Sequence, residues 1–197
     1  MTVSPKLSTN MFCADNFKRI TLIAAWLIFF ASTAQAQVNA DELKEIYSLE
    51  RHSEGGFFAE MYTSPFVCDG RPTAGSIYFL LEGDDVSHFH QIDCDEIWYY
   101  HAGCGMKIIS LRDGFVEEIL LGVDPKLNQR PMVVVPAGTI FAAENLDKND
   151  FTFISCATTP RFTYEGFRLV TRSELKKLYP RLPANILQMA YEKIPTS

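Results

Sequence analysis

The chain is 197 residues long, 47% of its residues are hydrophobic, and its formal net charge at pH 7 is −6. This length suits one hydrophobic core and is too short for two full-sized domains. A negatively charged chain without a basic stripe lacks the attraction to phosphate that dominates nucleic-acid binding. We therefore expect a single domain and no nucleic-acid partner.

Residues 1–36 have the three parts of a secretory signal peptide. Lys18-Arg19 precedes an apolar run over residues 20–30, and the sequence Ala34-Gln35-Ala36 follows it. The apolar run is too short to cross a bilayer comfortably, and the Ala-x-Ala sequence is typical of a cleavage site. We predict cleavage after Ala36 and export of residues 37–197 to the periplasm or the medium, with no stable membrane anchor. An uncleaved anchor helix is the alternative.

A short helix is predicted at the start of the mature chain. Asn39 and Glu42 have the spacing of a capping box, and Leu43 and Ile46 follow on one helix face. The helix should therefore run to about Leu49.

Four cysteines follow the predicted signal peptide, in a compartment that permits disulfides. They contain no C-x-x-C pair, so two interpretations stay open: any of three full pairings, or four free and mostly buried thiols. The four are Cys68, Cys94, Cys104 and Cys156.

The middle of the chain consists of ten short β-rich runs separated by turns, which predicts an all-β sandwich or barrel. Asp113-Gly114 between two apolar runs is a strong hairpin signal, and Pro136-Ala137-Gly138 separates two further strands. The predicted strands span residues 57–62, 76–81, 86–91, 96–101, 106–111, 115–121, 132–135, 139–144, 151–158 and 162–170.

Two elements are predicted after the last strand. Thr171 and Glu174 again have capping-box spacing, and the helix that they begin should end at Tyr179, before Pro180. An amphipathic stretch over residues 186–191 packs either on the barrel or on a partner subunit.

The strongest candidates for chemistry lie on two consecutive predicted strands. Side chains alternate across a strand, so His88 and His90 should share one face, and Glu96, Trp98 and Tyr100 should share a face of the next strand. Two histidines and a carboxylate suit a divalent transition metal with open coordination positions. The sequence therefore predicts a metal site at His88, His90 and Glu96.

These residues resemble the first motif of the cupin superfamily, in which a glycine precedes His-x-His and a glutamate and a second glycine follow it. Gly83, His88-Phe89-His90, Glu96 and Gly103 occupy these places. The resemblance implies a cupin double-stranded β-helix, which is a jelly-roll barrel, with short flanking helices and a core over about residues 43–179.

The second cupin motif is matched in part. Pro136-Ala137-Gly138 and Asn145 fit it, but Phe141 stands where the family has its metal-binding histidine. A phenyl ring cannot bind a metal, so any metal would have three protein ligands.

More narrowly, the chain resembles a cupin subfamily of undefined function. It contains Arg51-His52-Ser53-Glu54-Gly55-Gly56-Phe57-Phe58, then Ser87-His88-Phe89-His90, Asp95-Glu96-Ile97-Trp98 and Val135-Pro136-Ala137-Gly138. Relatives with the shape of sugar-nucleotide epimerases and seed-storage proteins imply a carbohydrate or another small polar ligand.

Further residues are candidates for the pocket wall. Glu60 and Tyr62 alternate on an early strand, and the rings of Trp98 and Tyr100 suit a stacking wall for a ligand. We interpret Gly55-Gly56, between Glu54 and the strand, as a tight turn rather than a ligand-binding loop.

Three functions remain open at this point. The first is a pocket that binds a small polar molecule and acts on it as an isomerase or epimerase would, with His90 and Glu96 as acid and base. The second is a non-catalytic binding module, and the third is a metal-dependent oxygenase. A homodimer is expected, because the predicted edge strand over residues 57–62 invites pairing.

Overall fold

The computed structural model of the protein describes residues 38–195, and the predicted signal peptide lies outside them. The described chain is mostly β-structure, which confirms the predicted all-β class. The helices are α1 (Ala40–Ile46), α2 (Arg172–Leu178) and α3 (Ala184–Leu187). The strands are β1 (Glu50–Arg51), β2 (Phe57–Thr63), β3 (Val67–Cys68), β4 (Arg71–Pro72), β5 (Gly75–Glu82), β6 (Val86–Gln91), β7 (Asp95–Gly103), β8 (Met106–Arg112), β9 (Phe115–Leu121), β10 (Met132–Val135), β11 (Ile140–Asn145), β12 (Phe151–Thr159) and β13 (Arg168–Leu169).

Two antiparallel sheets share the main core. The six-stranded sheet has the order β1-β2-β5-β12-β7-β10, and the five-stranded sheet has the order β13-β6-β11-β8-β9. Phe79, Trp98 and Ile154 of the first sheet form one buried cluster with Ile108 and Phe141 of the second. This arrangement is the predicted jelly roll, in which the inner faces of two sheets pack on each other.

The turn signals of the sequence are confirmed. Asp113 and Gly114 have positive φ angles of 51° and 81°, as a two-residue hairpin turn requires, and they join β8 to β9. The Pro136-Ala137-Gly138 turn carries the chain from β10 in the first sheet to β11 in the second.

The tenth predicted strand, over residues 162–170, is wrong. The segment forms a loop with a 3-10 turn at Tyr164–Gly166, and only Arg168–Leu169 pair with β6. The rings of Phe162, Tyr164 and Phe167 pack against one another with centroids 5.2 to 6.2 Å apart. Aromatic packing, rather than strand pairing, therefore organises this loop.

The predicted free edge over residues 57–62 is partly covered. Phe57 and Phe58 pair with the two residues of β1, and the whole strand pairs with β5 on its other side. At the opposite edge of this sheet, β10 pairs with β7 alone and exposes Met132 and Val134.

Both predicted capping positions begin helices. The Asn39 side chain accepts a hydrogen bond from the backbone N–H of Glu42, and the Glu42 side chain accepts one from Asn39, although α1 ends at Ile46 rather than near Leu49. At α2 only the first of these bonds forms: the Thr171 hydroxyl accepts from the backbone N–H of Glu174, whose side chain binds Arg168 instead. The segment after α2 packs on the barrel, because Met189 joins the buried cluster on the outer face of the second sheet.

Two further expectations concern cysteines and membrane spans. Cys68, Cys94, Cys104 and Cys156 are free thiols in the structure, so of the two interpretations the one without disulfides applies. Over residues 38–195, none of the helices combines the length and the apolar composition that crossing a bilayer takes.

Candidate functional site

A cavity of about 480 Å³ lies inside the barrel and is open at one end. Its wall comes from the inner face of the six-stranded sheet, from His90 on β6, and from the loop after β12. The chemistry-bearing side chains in the wall are Glu50, His52, Glu54, Glu60, His90, Glu96, Trp98, Cys156, Arg161, Tyr164 and Glu165. Such a concave site, in which aromatic and apolar side chains surround a set of ionisable groups, suits a small polar molecule.

The turn before β2 directs Glu54 into this cavity. Gly55 and Gly56 have φ angles of 110° and 72°, and a Cβ atom on Gly55 would lie 2.1 Å from the carbonyl oxygen of Val86. Only glycine permits this close approach. The backbone N–H of His88 also donates to the carbonyl of Glu54 at 2.7 Å, which joins the turn to β6. The Gly-Gly pair thus serves both as the tight turn we predicted and as the support of a buried acid.

Glu54 is a buried carboxylate with several partners. Its oxygens lie 2.8 Å from Ser87 Oγ, 3.3 Å from His90 Nε2 and 3.4 Å from His52 Nδ1. Burial alone would raise the pKa of Glu54, but the charge of His90 and the interactions with His52 and Ser87 outweigh it and lower the pKa to about 2. The pKa of His52 is raised, because Glu54 outweighs the opposing effect of burial. Glu54 is therefore ionised at neutral pH.

His90 is buried between the backbone of its own strand and Glu54. Its Nδ1 lies 2.7 Å from the carbonyl oxygen of His88, which can only accept, so Nδ1 carries a proton. Its Nε2 lies 3.3 Å from a carboxylate oxygen of Glu54. The ring is 2% exposed and packs on Phe141, with centroids 4.1 Å apart. His90 and the Glu54 carboxylate are therefore buried neighbours at the end of the barrel that holds the cavity.

Glu96, on β7, is a second buried carboxyl with the opposite behaviour. Burial and then the charge of Glu54 raise its pKa to about 7, while Trp98 and Cys156 act in the opposite direction. Two neighbouring carboxyls whose pKa values are pushed apart are typical of acid and base pairs in enzymes.

The prediction that His88 and His90 share a face is wrong. Phe141 pairs with His90 and Ala143 with Ser87, so two steps along β11 match three steps along β6. This β-bulge changes the alternation of side chains. As a result Ser87 and His90 both reach Glu54, while His88 lies outside the cavity.

The surroundings of His88 do not suit a metal ligand of this site. Its Nδ1 lies 2.9 Å from the carbonyl of Met189, and its ring packs on Tyr191 with centroids 3.8 Å apart. In the part of the chain that the structure describes, three or more His, Cys, Asp or Glu side chains nowhere form a group that could hold a metal ion. The predicted triad of His88, His90 and Glu96 therefore does not converge, and these residues do not fit the divalent metal.

The predicted wall residues divide into two groups. Glu60 and Trp98 line the cavity, but Tyr62 and Tyr100 do not. A bulge between Glu60 and Tyr62 shifts the alternation of β2, and Tyr62 is 50% exposed. Tyr100 shares the inner face of β7 as predicted but lies deeper, where it packs against the core.

Sequence reasoning missed several residues of the site, among them Glu54, His52 and Arg161. Glu54 and His52 were assigned to a turn, and Arg161 lies in a segment predicted to lead into a strand. The sequence signal for Glu54 was its position directly before Gly55-Gly56. Where a glycine turn lets two backbone segments approach closely, the side chain beside the turn often points into the interior. Nothing in the local sequence indicates the position of Arg161.

Comparisons with known proteins agree with this architecture. A family model described as cupin superfamily (DUF985) matches residues 41–170. The chain is similar to a solved protein from Shewanella oneidensis, with 34% identity, 80% of this chain and all of that one covered, and a TM-score of 0.76. It is also similar to a solved hypothetical protein from Leishmania major, with 30% identity, 79% and 100% coverage, and a TM-score of 0.73.

A further similarity is to an uncharacterised protein of Saccharomyces cerevisiae. The two are 28% identical over 152 residues, which are 67% of this chain and 76% of the yeast protein.

Proposed function

The chain belongs to the cupin superfamily, in the family DUF985, and from the geometry of its cavity we propose that it binds a small polar molecule and transfers a proton on it. The observation that supports this most directly is the pair of buried carboxyls, Glu54 and Glu96, in one aromatic-walled cavity. A plain binding pocket has no need of two buried acids, because burying ionisable groups costs free energy.

Each group of the site has a role in this proposal. Glu96 has a pKa of about 7, so it accepts and returns a proton near neutral pH. His90 lines the same cavity and is the second candidate for proton transfer, as acid or base opposite Glu96. Glu54 is a positioning residue, since its carboxylate lies 3.3 Å from His90 Nε2 and orients the ring. The reaction class is isomerisation or epimerisation, and the resemblance to carbohydrate-binding cupins suggests a sugar.

Hydrogen exchange into common monosaccharides tests the proposal. We expect the protein in D₂O to exchange a carbon-bound proton of at least one of glucose, mannose, fructose and glucosamine, as followed by ¹H NMR. The Glu96→Gln variant should lose exchange by about 100-fold or more, the usual contribution of a general acid or base. The matched control is Glu117→Gln, which changes an exposed carboxyl on β9.

The outcomes separate the alternatives. Binding without exchange, unchanged in Glu96→Gln, would make the protein a non-catalytic binding module. If the protein binds none of the four sugars and exchanges no proton of any of them, a carbohydrate ligand is rejected.

We also propose that the protein is exported and acts as a homodimer. Export is supported by the signal-peptide pattern of residues 1–36, and N-terminal sequencing of the exported protein should begin at Gln37.

A dimer is supported by the exposed apolar edge strand β10, and light scattering should give twice the monomer mass.

A further inference from the structure

Acidic side chains predominate around the cavity. Among the lining residues of the described chain, Arg161 is the one lysine or arginine, and two histidines accompany it. Against these stand five glutamates, two of them inside and three nearer the surface, namely Glu50, Glu54, Glu60, Glu96 and Glu165.

The basic groups of the cavity already face carboxylates. Arg161 donates from Nε to Glu60 Oε1 at 2.9 Å, and its Nη2 donates to the same oxygen. His90 Nε2 lies 3.3 Å from Glu54. Glu50 and Glu165, at the mouth, have no ion-pair partner within residues 38–195. The charge that remains unbalanced is therefore negative.

Aromatic rings add to this negative potential. Phe58, Phe162 and Tyr164 line the cavity, and the faces of such rings attract cations. The pKa of Tyr164 is raised, first by burial and then by the charges of Glu50 and Glu54. The hydroxyl at the mouth thus lies in the field of these carboxylates.

From this charge distribution and the aromatic wall we infer that the cavity selects a small molecule with a positive charge, such as an amine-bearing sugar, over phosphate and carboxylate compounds. The inference rests on the proposed function and specifies the charge of its ligand. An anion would have to displace Glu60 from Arg161 and would meet Glu50 and Glu165 at the mouth. An ammonium group would instead meet the carboxylates of Glu50 and Glu165 and the aromatic rings of the wall.

A thiol placed in the wall measures this selectivity without knowledge of the ligand. Thr163 lines the cavity, and its hydroxyl caps no helix, so Thr163→Cys is a mild change. In a Cys68→Ser, Cys104→Ser background, the rates of modification by methanethiosulfonates that carry a trimethylammonium or a sulfonate group are compared. The control thiol is Cys68, which is exposed and lies outside the cavity, and it is measured in a separate Cys104→Ser protein that keeps Cys68 and lacks the Thr163→Cys change.

We expect the ratio of the cation rate to the anion rate to be about tenfold higher at Thr163→Cys than at Cys68, as two nearby carboxylates imply at low salt. Adding Glu50→Gln and Glu165→Gln should bring the ratio down to that of Cys68. An equal or lower ratio at Thr163→Cys would overturn the inference.

Three sugars of similar size test the ligand class on the unmodified protein. We expect ligand-observed NMR at about pH 6 to rank glucosamine above glucose and glucose above glucuronate, with glucosamine bound at least about tenfold more tightly than glucuronate. Equal or reversed affinities would refute the charge preference and leave small-molecule binding intact. If none of the three binds, the sugar proposal fails, and the thiol ratio alone decides whether the cavity prefers cations.

Discussion

The two ends of the barrel interior bury different kinds of side chain, ionisable at one end and apolar at the other. At the open end, His90, Glu54 and Glu96 are buried around the cavity, while Met106 and Ile108 on β8 are completely buried in an apolar cluster. Apolar packing stabilises the fold with no dependence on pH, whereas each buried charge destabilises it unless a partner compensates. The comparison indicates that the closed end supplies stability and that the open end is retained for chemistry.

The strongest test of this contrast removes the buried Glu54 carboxylate. Glu54→Gln should lower the free energy of unfolding by about 3.5 kcal/mol at neutral pH, because the interactions that lower the pKa of this carboxyl from 4.5 to about 2 would be lost. In the wild type this stabilisation is full above pH 4.5, the ordinary pKa, and is lost as the pH falls towards 2, the folded pKa. Urea unfolding at several pH values should therefore show that the difference in stability between the wild type and the variant becomes smaller at acid pH.

The control for this variant is Glu117→Gln, which should change the stability by less than about 0.5 kcal/mol. A Glu54→Gln protein as stable as the wild type would show that the interactions of the Glu54 carboxylate contribute nothing to stability.

Glu96→Gln should raise the free energy of unfolding rather than lower it. The folded pKa of about 7 exceeds the ordinary 4.5, so the wild type loses stability as the pH rises through this range. Glutamine does not ionise, so the variant should be more stable by about 3 kcal/mol at pH 8 and nearly equal at pH 4.5. Chemical denaturation at the two pH values measures the difference. A gain that does not depend on pH would contradict the raised pKa.

The smallest effect is expected at the closed end. Ile108→Val removes one buried methylene group and should cost about 1 kcal/mol. The loss should be the same at pH 5 and pH 8, because no ionisable group is involved, and thermal unfolding at both values tests this. A pH-dependent loss would show that the two ends are coupled.

The bulge in β6 shows where a rule based on local sequence failed. Strict alternation placed His88 beside His90, but the pairing with β11 inserts an extra residue, and His88 packs on Tyr191 instead. The segment that receives His88 lies about a hundred residues later in the chain. No pattern within the strand itself contains that information.

Glu54 shows a related limit. The sequence indicated a glycine turn at Gly55-Gly56, and the turn is present. Whether the preceding side chain enters the barrel or points to solvent depends on how the turn contacts β6, which is a contact between distant residues.

The sequence alone determined the class of fold, nine of the ten predicted strands, the Asp113-Gly114 hairpin and the two helix caps, because alternation, turn residues and caps act over a few neighbouring positions. It also brought Glu96 and Trp98 to one inner face of β7. Only the tertiary structure decided which acid meets His90 and how the loop after β12 covers the cavity. These features depend on strand register, bulges and packing between segments far apart in the chain, and the free energy of such contacts exceeds local preferences.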